Sequence, residues 1–288
     1  MALRDRIFGS SRTNATRKAL ADKVIAITGG ARGIGFTTAT MLIESGATVA
    51  IGDIDDEAVG KAAAELGIDG HPVDVSDRDS FEKFLDAVEV SLGPIDVLIN
   101  NAGIMPVGPF LDFDDTIIRR AIDIDLYGVM VGTQLAVRRM VGRGHGQVVN
   151  MASVAGRVPT PGMAVYNGVK AGVIEFSEAL DAELESTGVR VSAVLPTFTR
   201  TELISGIETN ALIQTIGPEE VAAQVISIIV KPRVRVAAPA SMGWVDLAPV
   251  LGKRFKRSVR RVTKLDSVFL RYDTDQRSAY VQRIRGEE

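Results

Sequence analysis

Val24-Ile25-Ala26-Ile27-Thr28-Gly29-Gly30-Ala31-Arg32-Gly33-Ile34-Gly35 is a short β-branched run that ends in a glycine turn and leads straight into a segment of helical period. Strand, glycine turn and helix in that order make an anion cradle. The glycines let the backbone approach a pyrophosphate closely, and the helix start offers free N–H groups and a partial positive charge. A glycine-rich turn alone is weak support for nucleotide binding, because turns collect glycine anyway. Asp53 strengthens it. It ends a second apolar run about 20 residues on, where a carboxylate can accept from both ribose hydroxyls and repel a 2′-phosphate, which favours NAD over NADP. Arg32 argues the other way, since a guanidinium beside the turn can meet that phosphate. Asp53 carries the greater weight, because repulsion in a partly desolvated pocket is poorly screened while Arg32 is free to point to solvent. Without a ligand, Asp53 reads as a solvated residue of an acidic turn running to Glu57.

Outward from this unit, short β-branched runs alternate with helical stretches to about residue 237, the pattern of βαβ units and a parallel sheet. Val24–Thr28, Thr48–Gly52, Val97–Asn100, Gln147–Met151 and Arg190–Leu195 read as buried strands. Ile34–Ser45 and Ser80–Leu92 read as crossover helices, stopped by Gly46 and Gly93. No linker or repeat divides the region. The expected architecture is one α/β, doubly wound, Rossmann-like domain over 21–240, between a basic extension at 1–20 and a basic, helical, amphipathic extension at 241–288.

The 288 residues are 46% hydrophobic, ample for a continuous core, and include no cysteine and only two histidines, His71 and His145. Disulfides, thiolate catalysis and Cys/His metal sites are set aside on that composition, and no metal site is expected. His145 lies among Gly142, Gly144 and Gly146 in a loop and is assigned no chemistry. No apolar run is long enough to span a bilayer, and no apolar block follows the N-terminal arginines, so the expected location is cytoplasmic. The net charge of −3 hides an uneven distribution. Residues 1–18 hold five Lys/Arg against one acid, residues 241–288 hold eleven against six, and the centre holds 17 against 29. An acidic centre argues against nucleic-acid binding by the main body.

The spacing Thr28-Gly29-x-x-x-Gly33-x-Gly35 resembles that of the short-chain dehydrogenase/reductase family, and further motifs of that family follow in order. Asp74-Val75 is similar to its adenine-contacting pair, Asn100-Asn101-Ala102-Gly103 to its central-strand motif, and Tyr166-x-x-x-Lys170 to its catalytic pair, with Ser153 standing 13 positions before Tyr166. Pro196-Thr197-Phe198-Thr199-Arg200-Thr201 resembles the Pro-Gly-x-x-x-Thr segment that holds the nicotinamide amide, with Thr197 in place of the glycine. The likeness covers roughly residues 21 to 237. It implies that the cofactor lies against Gly29, Arg32, Gly33, Ile34, Gly35, Asp53, Ile54, Asp74, Val75, Asn101, Ala102, Gly103, Tyr166, Lys170, Pro196, Thr199 and Thr201. Asp125, in Asp125-Leu126-Tyr127-Gly128, stands where the family usually has an asparagine that anchors a proton-relay water. A carboxylate can hold a water too, so the relay is expected to survive with an altered pH dependence.

These residues imply a division of labour at the site. Tyrosine is too weak a base at neutral pH without a positive charge beside its phenolate, and Lys170 at i+4 on the same helix face supplies one. Oxidised nicotinamide adds another. Tyr166 then exchanges the proton while Ser153 fixes the substrate oxygen. Taken alone, Tyr166 and Lys170 would be an ordinary helix pair, and Ser153 would cap the turn before Gly156.

After Thr201, the residues Leu203, Ile204, Ile207, Leu212, Ile213 and Ile216 resemble the family's mobile substrate lid. Met105, Met163, Val165 and Phe198 would add apolar wall, which suits a hydrophobic secondary alcohol or ketone. The alternatives are an NADPH-linked carbonyl reductase, or a non-catalytic NAD-binding regulatory protein with Asp125 as a sign of lost catalysis. The resemblance implies a homodimer or homotetramer. In 241–288, Trp244, Leu247, Leu251, Phe255, Val259, Val262 and Leu265 recur at helical steps beside seven basic residues between Lys253 and Lys264. Pro249 would kink or restart such a helix. The stripe packs on this subunit or a neighbour, docks on an anionic membrane as a peripheral contact, or, least favoured for want of aromatics to stack on bases, binds RNA.

Overall fold

A computed structural model describes residues 10–207, 215–250, 257, 268–270 and 272–286, with the side chains of 10–13 and 248–250 excepted. The elements in chain order are α1 (Ser10–Leu20), β1 (Val24–Thr28), α2 (Gly33–Glu44), β2 (Thr48–Asp53), α3 (Asp56–Leu66), β3 (Asp69–Pro72), α4 (Arg78–Leu92) and β4 (Val97–Asn100). There follow α5 (Asp115–Ile122), which widens into a π-helical turn over Asp123–Gly128, then α6 (Val129–Val141), β5 (Gly146–Met151) and α7 (Ala164–Glu183). β6 (Val189–Pro196), α8 (Pro218–Val230), β7 (Arg235–Ala238), a 3-10 helix (Ala240–Val250) and α9 (Thr274–Arg285) complete the described chain.

The seven strands form one parallel sheet in the order β3-β2-β1-β4-β5-β6-β7. Side chains alternate across the pleat, so both faces of each central strand must be covered. Ile25, Ile27, Val49 and Ile51 meet Leu42 of α2 and Val225 and Ile229 of α8 on one face. Ala26, Ala50, Leu98 and Val148 meet Phe81 and Leu85 of α4 and Leu135 and Met140 of α6 on the other. Each such aliphatic side chain contributes roughly 1.5–3 kcal/mol by leaving water. Side-chain caps stop and start the helices: Asp55, Asp77 and Asp114 accept from the first-turn N–H groups of α3, α4 and α5.

The expected strands and crossover helices are present, with ends shifted by a residue or two. β3 and β7 were not read from the sequence. β3 is Asp69-Gly70-His71-Pro72, an edge strand with no β-branched residue, paired only to β2, and β7 is the four-residue edge strand Arg235–Ala238 on the far side, paired to β6. The order reverses at β1, between β2 and β4, so the carboxyl ends of β1 and β4 open a crevice. Among the described residues no helix is long and apolar enough to cross a membrane. Most of the proposed amphipathic stripe, from Leu251 to Leu265, lies outside the described residues. Its first two members, Trp244 and Leu247, are exposed in the 3-10 helix, while Val245 between them is the residue that packs into the core. A C-terminal helix is present further on, as α9.

Candidate active site

The crevice deepens into a cavity of about 620 Å³. Its first wall is the glycine turn. Gly29 holds a left-handed backbone (φ +64°) and sits so close to the chain after β4 that a Cβ there would fall 2.8 Å from Ala102 Cα. Asn101 locks this approach by donating from Nδ2 to Thr28 O (3.0 Å) and Gly29 O (2.9 Å), while Thr28 Oγ1 accepts from the N–H groups of Asn101 and Ala102. Gly35 is set behind the turn, where a Cβ would fall 2.1 Å from Gly29 O. No side chain caps the start of α2. Its first-turn N–H groups are therefore left without a side-chain partner, and Gly33 and Ile34 of that turn line the cavity.

Asp53 ends β2 beneath that turn, accepting from Ala31 N at 3.1 Å and from Asp55 N at 3.3 Å. Arg32 forms an ion pair with Asp55 at the cavity wall. Asp74 is held by Ser76, whose N–H and hydroxyl both donate to Oδ1. Gly29, Arg32, Gly33, Ile34, Asp53, Ile54, Asp74, Val75, Asn101, Ala102 and Gly103 all line the cavity, and so do Pro196, Thr199 and Thr201 on its other side. Gly35 alone of the expected cofactor residues is not in the lining. The open helix start, the closely approached glycines and a carboxylate at the far end fit a nicotinamide dinucleotide.

Ser153, Tyr166, Lys170 and Asp125 line the opposite end of the same cavity. Ser153 follows β5 and accepts from Ala155 N at 3.1 Å, so it does cap the turn before Gly156. It also donates to Pro196 O at 3.3 Å and faces the cavity. Tyr166 and Lys170 lie one turn apart on α7, both buried, with Lys170 Nζ 5.7 Å from the Tyr166 ring centre. Asn167 between them clamps the preceding loop, accepting from Thr160 N and donating to Ala155 O.

Lys170 Nζ donates to Met151 O at 3.0 Å and lies 3.3 Å from Asp125 Oδ1. Asp125 sits in the π-helical turn, fully buried, and accepts from Ile104 N at 3.0 Å; its Oδ2 has no partner. An unpartnered, buried carboxylate oxygen is costly, so it marks a place for a donor such as water. Burial pushes the Asp125 carboxyl above its ordinary value, opposed by the Lys170 charge and the Ile104 N–H. Burial also raises the Tyr166 phenol, the Asp125 charge adds to this, and the Ser153 hydroxyl opposes it. A lowered phenol was expected from the Lys170 charge. In the chain by itself burial and the Asp125 charge raise the phenol instead, while the Lys170 ammonium lies against Asp125.

The substrate side is apolar. Met105, Met163, Tyr166 and Ile207 form one buried cluster with Val268 and Phe269, and Phe198, Leu203 and Ile204 pack against it. Phe198 and Phe269 stack with ring centres 5.6 Å apart. Val165 and, of the expected lid, Ile207 are not in the lining, and Leu212 and Ile213 lie outside the described residues. Sequence reasoning missed Arg120, Ile124, Tyr280, Arg283 and Ile284, which also line the cavity. Tyr280, Arg283 and Ile284 belong to α9, an otherwise polar helix in which Tyr280 and Ile284, one turn apart, are the only sequence signal of a buried face.

Comparison with known proteins agrees with this geometry. A family model described as short chain dehydrogenase matches residues 23–211. The chain is 38% identical over 220 residues to cis-4-hydroxycyclohexanecarboxylate dehydrogenase of Sinomonas cyclohexanicum, a match covering 71% of this chain and 88% of that protein. It is 32% identical over 217 residues to carbonyl reductase family member 4 of Xenopus tropicalis, covering 73% and 92% respectively. It is 34% identical over 197 residues to a 3-oxoacyl-acyl-carrier-protein reductase of Thermotoga maritima, covering 67% and 80%.

Proposed function

The chain belongs to the short-chain dehydrogenase/reductase family of nicotinamide-dependent oxidoreductases, and from that premise we propose that it moves a hydride between NAD(H) and a hydrophobic secondary alcohol or ketone. The carrying observation is that Ser153, Tyr166 and Lys170 share one cavity with the glycine turn. The cofactor, when bound, supplies the hydride acceptor or donor. In alcohol oxidation the substrate C–H bond breaks as the hydroxyl proton passes to the Tyr166 oxygen and the C–O double bond forms; in reduction Tyr166 returns a proton to the developing alkoxide. Ser153 holds the substrate oxygen. Lys170 places its charge beside the phenol and, through Asp125, reaches the unpartnered Oδ2 where a relay water would sit. The apolar lining by Met105, Met163, Phe198, Leu203 and Ile204 supports an apolar substrate body, and the relatives named for an alicyclic hydroxy acid and for carbonyl reduction support secondary alcohol and ketone chemistry.

NAD rather than NADP is supported by the ion pair between Arg32 and Asp55. The arginine's charge is compensated there, whereas Asp53 faces the place of the 2′-phosphate with no cation paired to it among the described residues. Asp53→Ser is expected to shift the ratio of kcat/KM for NADP over NAD upward by about tenfold or more, the size of removing about 1.4 kcal/mol of repulsion. A parent enzyme that already prefers NADP would refute the assignment and leave the carbonyl reductase reading standing. A screen of diverse secondary alcohols with NAD, followed by NADH absorbance, tests the activity itself.

Asp125→Asn is expected to stay active with a shifted pH profile, since an amide also holds a water. Because burial raises the Asp125 carboxyl in the folded chain, the stability it contributes is present at acid pH and lost as pH rises through that elevated value. Unfolding curves of the asparagine variant should lack this fall. A folded but inactive variant would show that the carboxylate has a task of its own.

A further inference from the structure

The family match ends at residue 211, yet α9, far beyond it, is fastened to both banks of the cavity. Asp273 caps the helix through Asp275 N and Gln276 N. Arg277 is 1% exposed, and no carboxylate pairs with it among the described residues. Its guanidinium donates to Leu203 O (2.9 Å), Ser205 O (2.8 Å) and Met105 O (2.7 Å), and lies 4.5 Å from the Tyr280 ring centre. Tyr280 in turn accepts from Met105 N at 2.7 Å. Ser205 Oγ donates to Gln276 O, and Asp273 N to Gly206 O. A buried guanidinium is tolerated only where its N–H groups are met, and here they are met by chain from the segments after β4 and after β6.

So anchored, the last turn of α9 reaches the mouth above the glycine turn. Arg283 donates to Glu202 Oε2 at 2.7 Å. Glu202 follows Thr201, whose Cγ2 would lie 3.3 Å from a Cβ on Gly33. On the other bank, the Asp55 carboxyl is held low by the Ala58 N–H first, then by Arg32 and by the Arg283 charge. Gly286 closes the helix so near α5 that a Cβ on it would fall 2.8 Å from Nη1 of Arg120. Arg120 lines the cavity; among the described residues its side chain makes no hydrogen bond or ion pair, and its buried Nε has no partner. The remaining cations of the lining are compensated: Arg32 by Asp55, Lys170 by Asp125 and Arg283 by Glu202.

We propose that α9 is a clasp over the cofactor, in which Arg283 and Arg120 form a second anion site that meets the dinucleotide pyrophosphate from outside the glycine turn, with Arg277 as its anchor. The proposal rests on the dinucleotide reading above. Guanidinium forks suit phosphate oxygens, and a site closed by a helix releases its ligand only when that helix lifts. Glu202 pairs with Arg283 and would compete with the pyrophosphate for it.

Fluorescence titration and stopped-flow release of NADH, with ADP-ribose and adenosine as competitors, test the clasp without turnover. Arg283→Ala and Arg120→Met are each expected to weaken NADH and ADP-ribose about tenfold and to speed NADH release, while adenosine, which has no phosphate, binds as before. Glu202→Gln should move NADH affinity the opposite way. Unchanged NADH and ADP-ribose affinity in both arginine variants would overturn the clasp, as would an equal loss for adenosine, which would mean a general distortion of the site. If one variant fails to fold, the other carries the test. A parent chain that binds neither NADH nor NADPH would instead refute the dinucleotide reading itself.

Discussion

Tyr166→Phe should turn over at least about 100-fold more slowly than the parent while binding NAD nearly as well, the low end of what a lost general acid/base costs. The substitution removes one oxygen and leaves the ring in the cluster with Met105 and Met163, so the fold and the apolar wall are kept. Binding is expected to survive because the glycine turn, Asp53 and Asp74 lie at the other end of the cavity. What disappears is the atom that exchanges a proton with the substrate oxygen. In the chain alone burial and the Asp125 charge hold the phenol above its ordinary value, which makes the proton hard to remove and leaves full dependence on the positive charges gathered at the site. Steady-state kinetics beside NADH titration separates the two effects. Substantial remaining turnover would sink the assignment of Tyr166.

Removing the neighbouring charge should hurt both chemistry and fold. In Lys170→Met the Asp125 carboxyl loses its one counter-ion among the described residues while remaining fully buried, with Ile104 N as its remaining donor. Breaking a buried ion pair from one side costs about 3–5 kcal/mol. Denaturant unfolding at neutral pH should register a loss of that order, growing as pH rises, because the carboxyl is pushed up further without the ammonium and the fold favours its protonated form. Adding Asp125→Asn to Lys170→Met should return most of the stability by removing the stranded charge, and none of the turnover. Equal stability of the parent and Lys170→Met across pH 5 to 8 would show that the pair contributes nothing to the fold.

Much of this site was legible because it is built from local backbone requirements and fixed helical spacings. A turn that must approach Ala102 closely needs glycine at 29, and a tyrosine and lysine four apart on a helix need no tertiary information to share a face. Other parts gave no signal. β3 is a half-buried edge of Asp, Gly, His and Pro, formed because β2 offers it a partner and not because its residues favour strand. The π-helical turn that aims Asp125 at Lys170 leaves no mark in the periodicity. α9 was hidden for a different reason. Its buried face is Arg277, Tyr280 and Ile284, and an arginine in a polar helix reads as solvated surface until its three carbonyl partners are seen.

The sequence by itself determined the parallel α/β sheet and the glycine turn, since strand and helix periods are properties of neighbouring residues, and its resemblance to a known family marked Ser153, Tyr166 and Lys170. Tertiary structure decided the rest: that Arg32 spends its charge on Asp55, that Asp125 is buried against Lys170 with one oxygen unmet, and that α9 returns to close the cavity. Those outcomes depend on which side chains meet across 23, 45 and more than 170 positions of chain, as in Arg32 to Asp55, Asp125 to Lys170 and Met105 to Arg277 and Tyr280. Burial and pairing of charge are set by those meetings, and no local pattern encodes them.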